Sequence, residues 1–196
     1  MRGLRIRTWQ AATLFLAASA VHAGSIGGKV ACTGLRSNAG AVVYIEKIAG
    51  KTFPPPAEPV LMDQKGKEFI PRVLPVLVGT TVAFRNGDGI DHNVFTPDYC
   101  ADKFNLGAWR TDEKRTHTFG KPCAAVMLCK IHPEMAGYVV VVETPYFAVT
   151  DADGRYTVPN VPDGAYTVSV WHERLKKASQ AVTVKGDVTA DFTLGR

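Results

Sequence analysis

The stretch AAVMLCKIHPEMAGYVVVVE (residues 124–143) places two apolar runs on either side of a short polar loop. The runs AAVMLC and YVVVVE have the length and composition of β-strands, and a loop containing Pro and Gly separates them. That loop contains Cys129, His132 and Met135, each separated from the next by two residues. A thiol, an imidazole and a thioether on one tight turn can converge on a single ion. This stretch therefore predicts a β-fold that carries a metal site.

The rest of the chain has the same strand-like pattern. Short runs rich in Val, Tyr, Phe and Thr are separated by Gly, Pro, Asp and Asn, and no window keeps a helical apolar period for three turns. The clearest further runs are AVVYIE (41–46), VLPVLVG (73–79), TVAFRN (81–86), RYTVP (155–159), AYTVSVW (165–171) and TADFTL (189–194). We expect a loop or a single helical turn over residues 100–111, and we expect His117 to lie exposed on a strand. This spacing predicts an all-β protein built from one or two β-sandwiches.

A second histidine completes the candidate metal-binding set. His92 follows the predicted strand TVAFRN on a turn, and a strand end can bring it to the Cys129 loop. One thiolate, two imidazoles and a weak axial thioether match a type 1 copper site. Zinc is the next alternative, although structural zinc sites favour paired Cys and His ligands. The Cys-x2-Cys-His motif of a c-type haem is absent, a Cys–His nucleophilic pair leaves Met135 without a role, and in the simplest alternative the loop binds nothing.

The loop CKIHPEM and the segment 61–94 resemble the cupredoxins, the blue copper family that includes amicyanin, pseudoazurin and plastocyanin. In the upstream segment the similarity lies in a Phe-x-Pro element, a Gly before the strand that ends in Phe-x-Asn, and a following His-Asn pair. The resemblance implies a Greek-key β-sandwich with one copper ion. The ligands that it implies are His92, Cys129, His132 and Met135. It also implies that Asn93 fastens the loop of residues 129–135, here called the ligand loop, through hydrogen bonds.

The resemblance also limits how the four cysteines can pair. A copper-bound Cys129 must remain a thiolate, so it is unavailable for a disulfide. Three cysteines then remain, which allows at most one intramolecular bridge. We favour Cys100–Cys123, because both residues lie inside the copper-binding part, and Cys32 would then be free, buried or intermolecular.

The C-terminal part resembles a second family. Residues 145–194 are similar to the carboxypeptidase regulatory-like, transthyretin-like sandwich in the hairpin TDADGRY and in VPDGAY before a strand, and residues 27–46 are similar to its front strands. We therefore predict that residues 24–50 and 144–196 form one transthyretin-like sandwich, into which a cupredoxin domain of residues 51–143 is inserted. The alternative is an extended cupredoxin sandwich to which strands are appended at both ends. The insertion hypothesis requires the strands AVVYIE and AYTVSVW to pack directly against each other.

Residues 1–23 have the layout of a cleaved secretory signal peptide. Arg2, Arg5 and Arg7 precede the apolar run AATLFLAASAV, and Val21-His22-Ala23 follows at the cleavage position. This run is shorter than the roughly 17–25 apolar residues that a membrane span needs. The sequence therefore predicts an exported, periplasmic protein with no membrane span.

The charge of the chain argues against a nucleic-acid partner. The formal net charge is +5, from 23 basic and 18 acidic residues. Removal of the three signal-peptide arginines leaves 20 basic residues against 18, or +2. Phosphate binding needs a clustered basic surface, so no nucleic-acid partner is predicted.

These features favour one-electron transfer as the function. The resemblance implies that a redox donor and acceptor dock near His132, where Ile131, Pro133 and Ala136 would form a small apolar patch. An alternative is a copper-binding carrier or accessory protein in which the transthyretin-like domain mediates partner binding. A third possibility is that the transthyretin-like part is an adhesion or scaffold module. Enzymatic activity is not expected, because the protein itself fills every ligand position on the metal.

Overall fold

The computed structural model describes residues 23–111 and 113–196, and this part of the chain is almost entirely β. Its first strands are β1 (Ala23–Cys32), β2 (Val42–Ile45), β3 (Val60–Lys65), β4 (Glu68–Ile70), β5 (Val73–Leu77), β6 (Thr81–Asn86), β7 (His92–Phe95) and β8 (Asn105–Trp109), with one 3₁₀ helix (Tyr99–Ala101). The later strands are β9 (Lys114–Thr118), β10 (Cys123–Leu128), β11 (Ala136–Val142), β12 (Phe147–Val149), β13 (Arg155–Pro162), β14 (Gly164–His172), β15 (Leu175–Val184), β16 (Val188–Thr189) and β17 (Phe192–Leu194). The predicted signal peptide lies outside the described residues, apart from Ala23, where β1 begins.

Two sheets combine strands from both ends of the chain. In one sheet β1 lies between β13 and β16 and also pairs with β17, and the other sheet has the order β12-β2-β14-β15. Strand β2 pairs antiparallel with β14, with Val43 opposite Val170. This is the direct pairing that the insertion hypothesis requires. The buried hydrophobic residues between these sheets, here called the first core, all come from residues 26–45 and 156–194.

Two further sheets enclose a second core. They have the strand orders β5-β11-β10-β7-β8 and β4-β3-β6-β9. The buried members of this second core lie between Met62 and Val141, and they include Cys129 and Met135. The ligand loop therefore belongs to a β-sandwich, as the all-β prediction requires.

Strand β11 is buried on both of its faces, which explains why its sequence YVVVV does not alternate with polar residues. Val139 and Val141 point into the second core. Val140 and Val142 instead join a third, smaller cluster with Val42 and Val73. Because Val42 belongs to β2, this third cluster joins the outer faces of the two pairs of sheets.

The segment after Pro97 differs from the sequence-based expectation. The 3₁₀ helix is the expected helical turn, but strand β8 follows it and pairs with β7. The expectation that His117 is exposed is wrong. Its ring is half-buried and stacks on Phe104 at a centroid distance of 3.9 Å, because the chain after the 3₁₀ helix folds back over β9.

A disulfide bond joins Cys100, in the 3₁₀ helix, to Cys123, at the start of β10. The other two cysteines, Cys32 and Cys129, are buried and free. No helix in the described residues is long and apolar enough to cross a membrane.

Candidate metal centre

Three potential ligands converge at one end of the second sandwich. His92 is the first residue of β7, Cys129 directly follows β10, and His132 lies in the loop that leads to β11. One ring nitrogen of each histidine and the sulfur of Cys129 all lie within 4.8 Å of one another. In the described part of the chain, this is the one such group of His, Cys, Asp or Glu side chains that could hold a metal ion.

The two imidazoles present the same ring atom to this site. Nδ1 of His132 lies 3.2 Å from Nδ1 of His92 and 3.9 Å from Sγ of Cys129. The rings are tilted by 56° with their centroids 4.8 Å apart. Both Nδ1 atoms therefore face the sulfur side of the site, and they are the candidate metal donors.

The site is buried except at one histidine. His92, Cys129 and Met135 are buried, whereas His132 is half-buried and its neighbour Ile131 is exposed. The amide of Met135 donates a hydrogen bond to the carbonyl of His132 at 3.0 Å, which closes the loop into a tight turn. The Met135 side chain packs in the second core together with Cys129. Among the candidate ligands, His132 is therefore the one that solvent reaches.

Asn93 connects the two segments that carry the candidate ligands. Its backbone amide donates to Sγ of Cys129 at 3.4 Å, and its Oδ1 accepts a hydrogen bond from the Lys130 amide at 3.3 Å. Its Nδ2 donates to Oδ1 of Asn105 and to the carbonyl of Gly107, both at 2.8 Å. The side chain thus fixes the start of the ligand loop against β7 and β8.

Asp88 contacts the far side of the His92 ring, a contact that the sequence did not predict. Its Oδ2 lies 2.8 Å from Nε2 of His92, and its two oxygens accept hydrogen bonds from the amides of Gly66 and Lys67. Burial raises the pKa of Asp88, but the hydrogen bonds from Gly66, His92 and Lys67 outweigh burial and hold the pKa below its usual value. The one sequence signal is a carboxylate four residues before the candidate ligand His92, in a Gly-Asp-Gly loop.

Arg72 links the other end of the ligand loop to the first sandwich. Its Nη1 donates to the carbonyl of Ala136 at 3.0 Å, directly after Met135, and its Nη2 pairs with Glu173 at 2.7 Å. Glu173 lies between β14 and β15. No pattern in the sequence indicates this contact, because it depends on how the two sandwiches pack.

The C-terminal part of the chain is similar to a known family. The family model of the carboxypeptidase regulatory-like domain matches residues 134–195, which confirms the predicted resemblance of this region. The match begins ahead of the predicted boundary at residue 144 and includes β11, a strand that pairs with β5 and β10. No curated protein matches the chain.

Solved structures with partial similarity include copper proteins. A purple cupredoxin from Nitrosopumilus maritimus is 25% identical, with 42% of this chain and 98% of that chain covered and a TM-score of 0.38. A copper-containing nitrite reductase from Thermus scotoductus SA-01 is 27% identical, with coverages of 59% and 28% and a TM-score of 0.43. A mutant of amicyanin in its oxidised state is 25% identical, with coverages of 42% and 81% and a TM-score of 0.39. Because these TM-scores lie below 0.5, we infer the nature of the metal centre from its own geometry.

Proposed function

We propose that the protein is an exported type 1 copper protein that carries single electrons between redox partners. The proposed ligands are His92, Cys129, His132 and Met135. The observation that carries the proposal is the convergence of the Cys129 sulfur with two imidazole nitrogens, within 4.8 Å, at a buried site. Copper bound there would supply one-electron chemistry by alternating between Cu(I) and Cu(II).

The chemistry of the donor set favours copper over zinc. A single thiolate, two imidazoles and a nearby buried thioether form the soft, mixed set that is typical of blue copper sites. Structural zinc sites instead use four Cys or His ligands, and the described residues offer three such side chains here. The Asn93 amide donates to the Cys129 sulfur at 3.4 Å, which orients the sulfur within the site. Since side chains of the protein fill the ligand positions, we assign no catalytic reaction to this centre.

The exposed edge of His132 is the proposed route for electrons. His132 is half-buried, and the exposed residues Ile131 and Pro133 flank it in the loop. A small apolar surface of this kind suits the weak, short-lived contacts of redox partners. Lys130 and Glu134 are exposed on the same loop and would select partners by charge.

We also propose the insertion arrangement for the two domains. Its support is that β1 and β2 pair with strands from β12 onward, and that the first core draws only on residues 26–45 and 156–194. The buried residues of the second core come from the intervening chain. In this arrangement the transthyretin-like sandwich of residues 24–50 and 144–196 carries the copper domain of residues 51–143.

The absorption spectrum of the copper-loaded protein tests the proposed function. We expect an intense visible charge-transfer band from the Cys129 thiolate and reversible voltammetry. Cys129→Ser should abolish the band, whereas the control Cys32→Ser, at the other buried free cysteine, should keep it. A colourless copper complex, or one that loses its metal readily to a chelator, would favour the carrier function instead.

Met135→Leu tests the axial position separately. Because a thioether is a weak axial ligand that tunes the potential, this variant should keep copper and show a higher reduction potential. Complete loss of copper would contradict the assigned role of Met135.

A further inference from the structure

We infer that Asp88 is a positioning residue of the metal centre. It fixes the orientation and the tautomer of His92, and its negative charge favours the oxidised metal. This inference rests on the proposed copper site and adds a residue that is not itself a ligand.

The contact between Asp88 and His92 determines which nitrogen is free. A carboxylate accepts hydrogen bonds only, so the 2.8 Å contact places the proton of a neutral His92 ring on Nε2. The lone pair is then on Nδ1, the atom that faces His132 across 3.2 Å. The His92 side chain is 0% exposed and the Asp88 side chain 18% exposed. Water therefore competes little for this hydrogen bond, and Asp88 holds His92 in the tautomer that a metal needs.

Asp88 is itself held in place by backbone groups. Its Oδ1 accepts from the Gly66 amide at 2.9 Å, and its Oδ2 accepts from the Lys67 amide at 3.2 Å. Gly66 and Lys67 form the turn between β3 and β4, with positive φ values of 64° and 58°. The Asp88 amide also donates to Oδ1 of Asn86 at 2.9 Å. Hydrogen bonds hold both Asp88 oxygens on the side of the His92 ring away from the metal site. The carboxylate therefore orients His92 and is not itself a metal ligand.

The charge of Asp88 gives a direction to its effect. Cu(II) with one thiolate carries a net charge of +1, and Cu(I) with one thiolate is neutral. A nearby carboxylate stabilises the positive state relative to the neutral one. The reason is that water screens the attraction between the carboxylate and the metal only weakly at a buried site. Removal of this charge should therefore raise the reduction potential.

Asp88→Asn tests the inference in the copper-loaded protein, with Asp91→Asn as the matched control. Asp91 is one residue from His92, but its side chain is 60% exposed and lies 3.6 Å from Arg110. We expect Asp88→Asn to keep the visible band, to raise the potential more than Asp91→Asn does, and to weaken copper binding by about 10–100-fold. Equal potentials in the two variants would overturn the charge effect.

A second measurement on the metal-free protein keeps the test independent of copper and of the variant's folding. Long-range ¹H–¹⁵N correlation spectra of the wild-type imidazoles should show His92 with its proton on Nε2. A proton on Nδ1 of His92 would overturn the positioning role, even if the visible band is present. A wild-type protein that lacks the band but shows the Nε2 proton would instead contradict the proposed function and retain the role of Asp88.

Discussion

Replacement of Asn93 with alanine removes three side-chain hydrogen bonds that hold the ligand loop against β8. Asn93 is 4% exposed. Asn105 and Lys130, two of its partner residues, are exposed, whereas the third, Gly107, is half-buried. A hydrogen bond contributes about 0.5–1.5 kcal/mol net, and a buried partner left unpaired costs about 1–3 kcal/mol. We therefore expect Asn93→Ala to lower the free energy of unfolding of the metal-free protein by about 2–4 kcal/mol.

The same change should weaken metal binding, because Asn93 fixes the position of the Cys129 loop. Loss of a residue that orients ligands typically reduces metal affinity by about 10–100-fold. Urea unfolding of the metal-free protein measures the first effect, and titration of copper against a competing chelator measures the second. The visible band should remain, since the backbone amide that contacts Cys129 is kept.

Thr150→Ala provides the matched control. Thr150 is also 4% exposed, and its hydroxyl donates to the carbonyl of Asn38 at 2.6 Å and accepts from the Ala41 amide at 3.0 Å. It belongs to the first sandwich, so its replacement should lower stability and leave copper affinity unchanged. Equal losses of affinity in the two variants would show a general effect of stability and refute the specific role of Asn93. Wild-type affinity in Asn93→Ala would refute it as well.

Three other changes test the surrounding structure. Serine at both Cys100 and Cys123 should lower the free energy of unfolding by about 3 kcal/mol, because the disulfide closes a loop between residues 23 apart in sequence. Equal urea midpoints for the wild type and this double variant would contradict the prediction. Gly137→Ala places a Cβ atom 2.7 Å from Cβ of Phe69, so we expect a loss of about 1–3 kcal/mol, and an unchanged thermal melting temperature would contradict the close packing. Burial lowers the pKa of His117, so the folded protein binds this proton less readily than the unfolded chain. The contribution of His117 to stability is therefore full above about pH 6.5 and falls as the pH drops below that value, and His117→Phe should flatten this part of the pH–stability curve.

The strand–loop–strand unit of residues 124–143 was predictable because its signal is local. Two apolar runs and a loop with Cys129, His132 and Met135 occupy twenty consecutive residues. The structure places His92 beside this loop although it is far away in sequence. The sequence signal was its position shortly after the strand-like run TVAFRN (81–86), and in the structure it begins the next strand, β7.

Contacts that depend on tertiary packing could not be predicted. The strand β8 contains Gly107 with a positive φ of 76° and has little strand propensity of its own; it becomes a strand because it pairs with β7. The partners of Asn93 on β8 were missed for the same reason. Asp88 and Arg72 reach the site through a turn and a sandwich interface respectively, and neither contact leaves a periodic pattern in the sequence.

Two kinds of contact join the ligand loop and the strand that follows it to the first sandwich, and their energies differ. The Arg72–Glu173 ion pair is partly solvated, with side-chain exposures of 55% and 15%, and exposed pairs of this kind contribute about 0–1 kcal/mol. The third cluster instead buries four valines, namely Val42, Val73, Val140 and Val142. Full burial of one such side chain contributes about 1.5–3 kcal/mol. The apolar contact therefore holds the sandwiches together, and the ion pair orients Arg72 toward the carbonyl of Ala136. Since β11 begins at that residue and supplies two of the valines, the strand that ends the ligand loop is supported by both sandwiches.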